Sequence, residues 1–162
     1  MTEMILEKMT AADIDGAVEL VRLAMNADEA QWARESIAFH FGCVGHDLDD
    51  GRTYYLARIE GRIVGLVGLH RYIWGPPENV WLGWFAVAPD CHRSGIGRRL
   101  MQQAETLARQ QGYKKLFVET YDHPTFAQAR AFYASMGFSQ TGTVEDYLPD
   151  GSAMLVFCRK IT

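Results

Sequence analysis

The stretch that decides the fold of this chain reads Phe85-Ala86-Val87-Ala88-Pro89-Asp90-Cys91-His92-Arg93-Ser94-Gly95-Ile96-Gly97-Arg98-Arg99-Leu100. Its first residues are apolar and predict a buried strand. Pro89 ends that strand because proline cannot donate a hydrogen bond to a strand ladder. A short loop follows, and a helix then opens on Gly95-Ile96-Gly97.

The start of this helix has the properties of an anion site. Helix N-termini carry unpaired backbone N–H groups and the positive end of a dipole, and glycines let a ligand approach the backbone closely. Arg93, Arg98 and Arg99 add positive charge at the same place. The pattern fits a phosphate or pyrophosphate ligand. It also fits glycines that only let the helix pack close to the strand.

Two common nucleotide motifs do not match this stretch. A Walker A loop needs Lys-Ser or Lys-Thr after the glycines, and here Arg98-Arg99 follows instead. A Rossmann fingerprint follows the first strand of its unit and has an acidic residue about 20 positions further on. A nucleotide-binding protein is therefore the weaker interpretation of the same anion site.

Hydrophobic spacing and turn residues predict alternating strands and helices along the rest of the chain. The predicted order is β-α-α-β-β-β-α-β-α-β-β. We predict strands over 3–9, 53–59, 62–73, 80–87, 115–120, 138–147 and 154–160, and helices over 10–25, 28–41, 96–110 and 126–136. Thr10 with Asp13 predicts a helix cap, and the second helix carries Trp32, Ser36 and Phe39 on one face.

Composition predicts one soluble globular domain over residues 1–162, since the chain is 48% hydrophobic and 22% charged. Three scattered cysteines do not make a disulfide framework, and the N-terminal residues lack the pattern of a signal peptide. We therefore expect a cytoplasmic protein. A net charge of −4 argues against a nucleic-acid partner, and no apolar run is long enough for a membrane helix.

Charge is unevenly distributed along the chain. Between Cys91 and Lys115 there are six basic residues and one acidic residue, whereas between Asn26 and Asp50 there are six acidic residues and one basic residue. The basic segment fits an anionic ligand, although a solvated helix face explains it as well.

Two motifs resemble the GNAT N-acetyltransferase superfamily. His92-Arg93-Ser94-Gly95-Ile96-Gly97 is similar to the family's motif A, Gln/Arg-x-x-Gly-x-Gly/Ala, with His92 in the first position. Ala129-Arg130-Ala131-Phe132-Tyr133, followed by Gly137-Phe138, resembles the family's Ala-x-x-Phe-Tyr…Gly-Phe helix, with Phe126 where many members carry Asn. The resemblance implies a mixed α/β fold: a central, twisted, mostly antiparallel sheet of about seven strands, flanked by about four helices.

The resemblance also implies acetyl-CoA as co-substrate and no metal. The pyrophosphate would lie on the backbone amides of the loop and helix start, and the preceding strand would pair with the pantetheine arm through its main chain. The implied cofactor-binding residues are Phe85, Ala86, Val87, His92, Arg93, Ser94, Gly95, Ile96, Gly97 and Arg98.

For catalysis, the resemblance places Tyr133 near the sulfur of coenzyme A as the acid that protonates the leaving thiolate. Its position on an apolar helix stripe also fits a core aromatic residue. Some members carry a Glu base on the strand before motif A, but here that stretch is Trp81-Leu82-Gly83-Trp84. Glu119 is our substitute base, with a solvated strand-end carboxylate as the alternative, and His70 and His123 rank below it.

The implied reaction is acetyl transfer to a primary amine by direct attack in a ternary complex. Acidic residues in 26–50 and 144–152, the segments that usually shape the acceptor cleft of this fold, predict a cationic acceptor, either a small molecule or a peptidyl amine. The missing strand carboxylate also fits a catalytically weak acyl-CoA-binding sensor of the same fold. The aromatic content permits a homodimer.

Overall fold

The computed structural model describes residues 2–162, which form a seven-stranded sheet with four α-helices. The strands are β1 (Ile5–Lys8), β2 (Arg52–Ile59), β3 (Arg62–His70), β4 (Asn79–Val87), β5 (Lys115–Tyr121), β6 (Ser139–Val144) and β7 (Met154–Lys160). The helices are α1 (Ile14–Ala24), α2 (Ala27–Gly45), α3 (Ile96–Gln110) and α4 (Ala127–Ser135). The predicted fold class and element order are confirmed.

The sheet has the strand order β1-β2-β3-β4-β5-β7-β6. Every neighbouring pair is antiparallel except β4 and β5, which are parallel. The hairpin between β2 and β3 turns at Glu60-Gly61, where φ is 50° and 79°. Two positive φ angles are what a tight two-residue hairpin turn requires, so the predicted turn is confirmed.

The central feature of the sheet is a gap between β4 and β5. These strands pair only from Asn79–Trp81 to Lys115–Phe117. Beyond that point β4 stays paired with β3 as far as Val87, and β5 stays paired with β7 as far as Tyr121. The two strands therefore diverge in the middle of the sheet and leave facing edges unpaired.

Each face of the sheet is covered by one pair of helices. α1 and α2 bury residues such as Val21 and Ile37 against Leu56 and Leu66, while α3 and α4 cover the opposite face, where Leu100 is fully buried. Side chains alternate between faces along a strand, so β2 and β3 contribute to both cores. Burial of these apolar side chains stabilises the sheet from both faces.

The second helix differs from its prediction in length and orientation. It continues to Gly45 rather than ending near Phe41. The core side of α2 is formed by Ala30, Ala33 and Ile37, whereas Trp32 and Phe39 are 48% and 61% exposed. The small alanines allow α2 to pack closely, so the predicted aromatic face is not the face that enters the core.

Candidate active site

The N-terminus of α3 leaves backbone N–H groups without partners in the helix. Gly95 caps it with φ of 83°, and no side chain caps the helix. Arg99 donates the first helical hydrogen bond, to the Gly95 carbonyl at 3.0 Å, so the amides of Ile96, Gly97 and Arg98 precede the first bonded N–H. A Cβ built on Gly95 would meet nothing within 4 Å. Glycine is therefore favoured there by the backbone conformation rather than by space.

A cavity of about 430 Å³ lies at this helix start, and we call it the α3 cavity. Most of the predicted cofactor-binding residues line it: Phe85, Ala86, Val87, His92, Arg93, Gly95, Gly97 and Arg98. Ser94 and Ile96 do not line it. The Ser94 hydroxyl donates to the Cys91 carbonyl, and Ile96 is buried in the core.

The backbone of β4 offers free hydrogen-bonding groups to this cavity. The Ala88 N–H bonds to the Val64 carbonyl at 2.9 Å, so by strand alternation Ala86 directs its backbone groups toward β3, and Phe85 and Val87 direct theirs toward the gap. The Val87 carbonyl already has a neighbour, since His92 Nε2 lies 3.1 Å from it. The Nε2 atom of His92, an implied cofactor-binding residue, is therefore directed at the strand.

A second cavity, of about 540 Å³, lies between α2 and the sheet, and we call it the α2 cavity. Four consecutive residues of β4, Leu82 to Phe85, and four consecutive residues of β5, Val118 to Tyr121, line it. In a paired strand only alternate residues face one side. Consecutive residues reach this cavity because the edges of both strands are open at the gap.

The two cavities meet at the gap. Both are lined by Met25, Phe85, Phe126, Ala129 and Tyr133. The meeting point is largely aromatic, with the Phe85 and Tyr133 rings edge to face at 6.3 Å between centroids. A ligand in one cavity can therefore contact a ligand in the other without crossing the sheet elsewhere.

Tyr133 lies at this meeting point. Its side chain is 6% exposed, and no residue within 2–162 makes a hydrogen bond to its hydroxyl. Burial raises its pKa well above the usual value for tyrosine. The hydroxyl therefore keeps its proton at neutral pH and can donate it into the shared space.

A sequence profile described as the Acetyltransferase (GNAT) family matches residues 17–138. The chain belongs to this family.

Individual relatives agree with the family assignment. A probable N-acetyltransferase camello of Xenopus laevis is 29% identical over 94 residues, which cover 58% of this chain and 42% of that protein. The chain thus matches less than half the length of that relative. A putative GNAT acetyltransferase of Desulfovibrio desulfuricans has a TM-score of 0.86 at 22% identity and covers 99% of this chain and 100% of its own. A GNAT acetyltransferase of Elizabethkingia anophelis, solved with acetyl-CoA bound, has a TM-score of 0.71 at 22% identity over 97% of each chain.

Glu119 supplies a carboxylate to the α2 cavity of this GNAT member. It projects from β5 at the open edge, and no residue within 2–162 bonds to its side chain. Water in the cavity can reach the carboxylate, but the surrounding protein raises its pKa by desolvation. A pKa shifted toward neutrality suits a general base.

Glu29 is a site residue that the sequence analysis missed. It lies in the first turn of α2, is 8% exposed and lines the α2 cavity close enough to Glu119 for their charges to interact. Burial raises its pKa first, and the charges of Asp28 and Glu119 raise it further. Asn26-x-x-Glu29 has the spacing of a capping box, which predicts a structural role for this carboxylate.

Arg52, which lines the α2 cavity, is paired with a carboxylate. Arg52 Nη1 lies 3.1 Å from Asp50 Oδ2, and His40 Nδ1 lies 2.8 Å from Asp50 Oδ1. Burial opposes ionisation of Asp50, but its hydrogen bonds to His40 and Arg52 outweigh burial and lower its pKa. Burial lowers the pKa of His70 to about 4, so His70 is neutral and a weak base at pH 7.

Other predicted residues fall outside the site. Neither cavity is lined by His123, whose ring nitrogen Nε2 lies 3.4 Å from Asp150. Of the acidic residues in 26–50 and 144–152, only Glu29 lines the α2 cavity. Fewer acidic residues of these segments face the α2 cavity than the sequence predicted. Trp74 and Trp84 line the cavity, whereas Trp81 does not.

Within residues 2–162 no group of three or more His, Cys, Asp or Glu side chains is arranged to hold a metal ion. None of the helices in that range combines the length and apolar character that a bilayer-crossing helix requires.

Proposed function

We propose that this chain is an acetyl-CoA-dependent N-acetyltransferase that moves the acetyl group directly to a primary amine while both substrates are bound. The observation that carries the proposal is the meeting of two cavities at Tyr133 and Phe85. One cavity presents free amides and arginines suited to phosphates. The other presents a carboxylate suited to an amine.

The α3 cavity would hold acetyl-CoA. The amides of Ile96, Gly97 and Arg98 would bind the pyrophosphate, aided by the arginine side chains at the rim. The gap-facing backbone groups of Phe85 and Val87 would pair with the pantetheine arm. The acetyl-CoA complex of the Elizabethkingia relative supports this choice of cosubstrate.

Glu119 would prepare the acceptor. A free alkylamine has a pKa of about 10.4 and is mostly protonated at pH 7. Glu119, directly or through a water, would take that proton, and the amine nitrogen would then attack the thioester carbon. The new C–N bond forms as the C–S bond breaks, and an N–H of β4 near Phe85 would stabilise the negative charge that develops on the carbonyl oxygen.

Tyr133 would act on the leaving sulfur. Its raised pKa lies well above the value of about 8.5 for a thiol. We therefore assign it chiefly as a hydrogen-bond donor to the departing thiolate. The attacking nitrogen carries one proton more than the amide product retains, and that proton, relayed through the Tyr133 hydroxyl or a water, would convert the thiolate to the free thiol of coenzyme A.

The acceptor would be a cationic amine. Glu29 and Glu119 bring two carboxylates to the α2 cavity, and aromatic side chains form much of its wall. Trp74, Trp84 and Tyr72 could contact an ammonium group through their ring faces. Both small amines and peptidyl amines fit this description.

Thermal unfolding with acetyl-CoA, ATP and NAD tests the cosubstrate. A ligand at 100 times its Kd stabilises the folded state by about 2.7 kcal/mol, so acetyl-CoA alone should raise the midpoint clearly. Amine-dependent release of the coenzyme A thiol then tests transfer. Stabilisation by acetyl-CoA without release for any amine would favour the acyl-CoA sensor, and stabilisation by ATP alone would contradict both.

A further inference from the structure

The carboxylate of Glu29 does not complete the cap of α2. Its backbone N–H bonds to the Asn26 side chain at 2.8 Å, which is one half of a capping box. The reciprocal bond, from the Asn26 N–H to the Glu29 carboxylate, is not formed. By contrast, the corresponding bond is formed in the cap before α1, where the Thr10 N–H donates to Asp13 Oδ2 at 2.9 Å. The Glu29 carboxylate lines the α2 cavity instead.

This carboxylate belongs to a largely buried residue and has no partner among the described residues. Glu29 is 8% exposed, and within residues 2–162 no hydrogen bond or ion pair reaches its side chain. A buried charge that lacks a partner is costly to the fold. A carboxylate in this position is better explained by binding a cationic ligand than by stabilising the fold.

A second polar group in the same cavity also lacks a partner. Thr120, next to Glu119 on β5, is 3% exposed, and its hydroxyl oxygen makes no hydrogen bond within the described residues. It lines the α2 cavity at the open strand edge. Its oxygen is enclosed by protein, so the carboxylates of Glu29 and Glu119 are the unpartnered acidic groups that a ligand in the cavity can reach.

Within residues 2–162, no basic side chain that lines the cavity neutralises the charges of Glu29 and Glu119. Arg52 is paired with Asp50, which lies 3.1 Å away and is itself buried. His70 is neutral at pH 7, and His40 is directed at Asp50. The uncompensated charges of the cavity are thus Glu29 and Glu119, one on α2 and the other on β5.

We propose that Glu29 binds a second cationic group of the acceptor while Glu119 receives the reacting amine, so that the preferred acceptor is a diamine or a longer polyamine. This inference rests on the proposed function. A carboxylate at each end of the acceptor pairs with both ammonium groups through charge-assisted hydrogen bonds.

The test compares putrescine with n-butylamine, which has the same carbon chain and one ammonium group. Rates of thiol release are measured at constant ionic strength, because salt screens charge pairs. The variants are Glu29→Gln, which keeps the size of the side chain, and Glu35→Gln, an exposed residue of α2 outside both cavities.

We expect kcat/KM of the native protein to be about tenfold or more higher for putrescine, equivalent to about 1.4 kcal/mol. Glu29→Gln should bring that ratio close to one through a higher KM for putrescine, and Glu35→Gln should keep the native ratio. Equal kcat/KM values for the two amines, or an unchanged ratio in Glu29→Gln, would overturn the inference.

Calorimetric binding separates this inference from the proposed function. If no amine causes thiol release, the transferase proposal fails. The inference about Glu29 is then tested by the affinities of the protein for the two amines. Putrescine should bind the native protein more tightly than n-butylamine and lose that advantage in Glu29→Gln. Equal affinity of the native protein for both amines would contradict the inference.

Discussion

Trp81 and Phe117 are the last residues that pair β4 with β5, and their rings stack with centroids 5.0 Å apart. The stacked rings lie where the sheet stops being continuous. Beyond them β4 and β5 follow different neighbours, and both cavities open. An aromatic pair thus marks the boundary between the scaffold and the site.

The first prediction concerns this boundary. A double-mutant cycle with Trp81→Leu and Phe117→Leu should give a coupling energy of about 0.5–1.5 kcal/mol, because the stacked geometry adds to simple burial. Urea unfolding measures it. Trp81→Leu with Ile5→Ala on β1, which β2 and β3 separate from β4, is the control and should be additive within about 0.5 kcal/mol. A coupling no larger than that of the control pair would show that the stack does not hold the strands together.

The second prediction separates stability from cosubstrate binding. A Cβ on Gly97 would lie 3.5 Å from Phe132 and 3.7 Å from Val87, both of which line the α3 cavity. Gly97→Ala should stabilise the helix by up to about 1 kcal/mol and weaken acetyl-CoA binding by about tenfold or more.

Gly42→Ala is the matched control for Gly97→Ala. Gly42 lies on α2, and its Cβ would meet nothing within 4 Å. The substitution should raise stability in the same way and leave the Kd of acetyl-CoA unchanged. If Gly97→Ala binds acetyl-CoA as tightly as the native chain, the pyrophosphate does not lie at the start of α3.

The third prediction concerns the base. Glu119→Gln should lower kcat/KM by about 10²- to 10⁴-fold, the usual contribution of a general base. In the native protein kcat/KM should rise with pH through the Glu119 pKa, which lies above the ordinary value of about 4.3. That acid limb should disappear in the variant. An acid limb that persists in Glu119→Gln would assign the base to another group.

The fourth prediction concerns the leaving group. Tyr133→Phe should lower kcat by about 10²-fold, comparable to the loss of one transition-state hydrogen-bond donor, with little change in the Kd of acetyl-CoA. The free energy of unfolding should not fall, because the hydroxyl has no partner within residues 2–162. Unchanged kcat in Tyr133→Phe would leave Tyr133 as a core aromatic residue only.

The fifth prediction concerns the cost of Glu29. Its folded-state pKa is raised, so the folded protein binds more protons than the unfolded chain between the ordinary and the raised value. Stability is therefore highest below the ordinary pKa and is lost as pH rises through the raised one. Glu29→Gln should stabilise the protein without ligands at pH 8 by about 1 kcal/mol, and the gain should vanish near pH 4. If Glu29→Gln changes the free energy of unfolding by the same amount at pH 8 and near pH 4, the ionised Glu29 does not destabilise the folded protein.

Local signals in the sequence predicted much of this structure. The glycines after β4, the Glu60-Gly61 turn and the apolar spacing of α3 act over a few residues, so a single sequence reveals them. Tyr133 and Glu119 came from the family resemblance. The placement of Tyr133 where the cavities meet, and of Glu119 in the α2 cavity, was not visible in any spacing.

Neither the gap nor the position of Glu29 can be read from a local spacing in the sequence. The gap depends on which strands pair after folding, which is a property of residues far apart in the chain. Counting charges in 26–50 could not tell Glu29 from its solvated neighbours, because only its position on the inner side of α2 directs it to the cavity. Its spacing from Asn26 matches a capping box, but the structure forms only the bond from the Glu29 N–H to the Asn26 side chain.

The meeting of the two cavities at the gap also has a use in inhibitor design. A single molecule that joins coenzyme A to a diamine through a short linker could occupy both cavities by passing through the gap at Phe85 and Tyr133. Its second half would bind at the high effective concentration set by the linker. Such a conjugate could exceed the affinity of either half by about 10²- to 10⁴-fold.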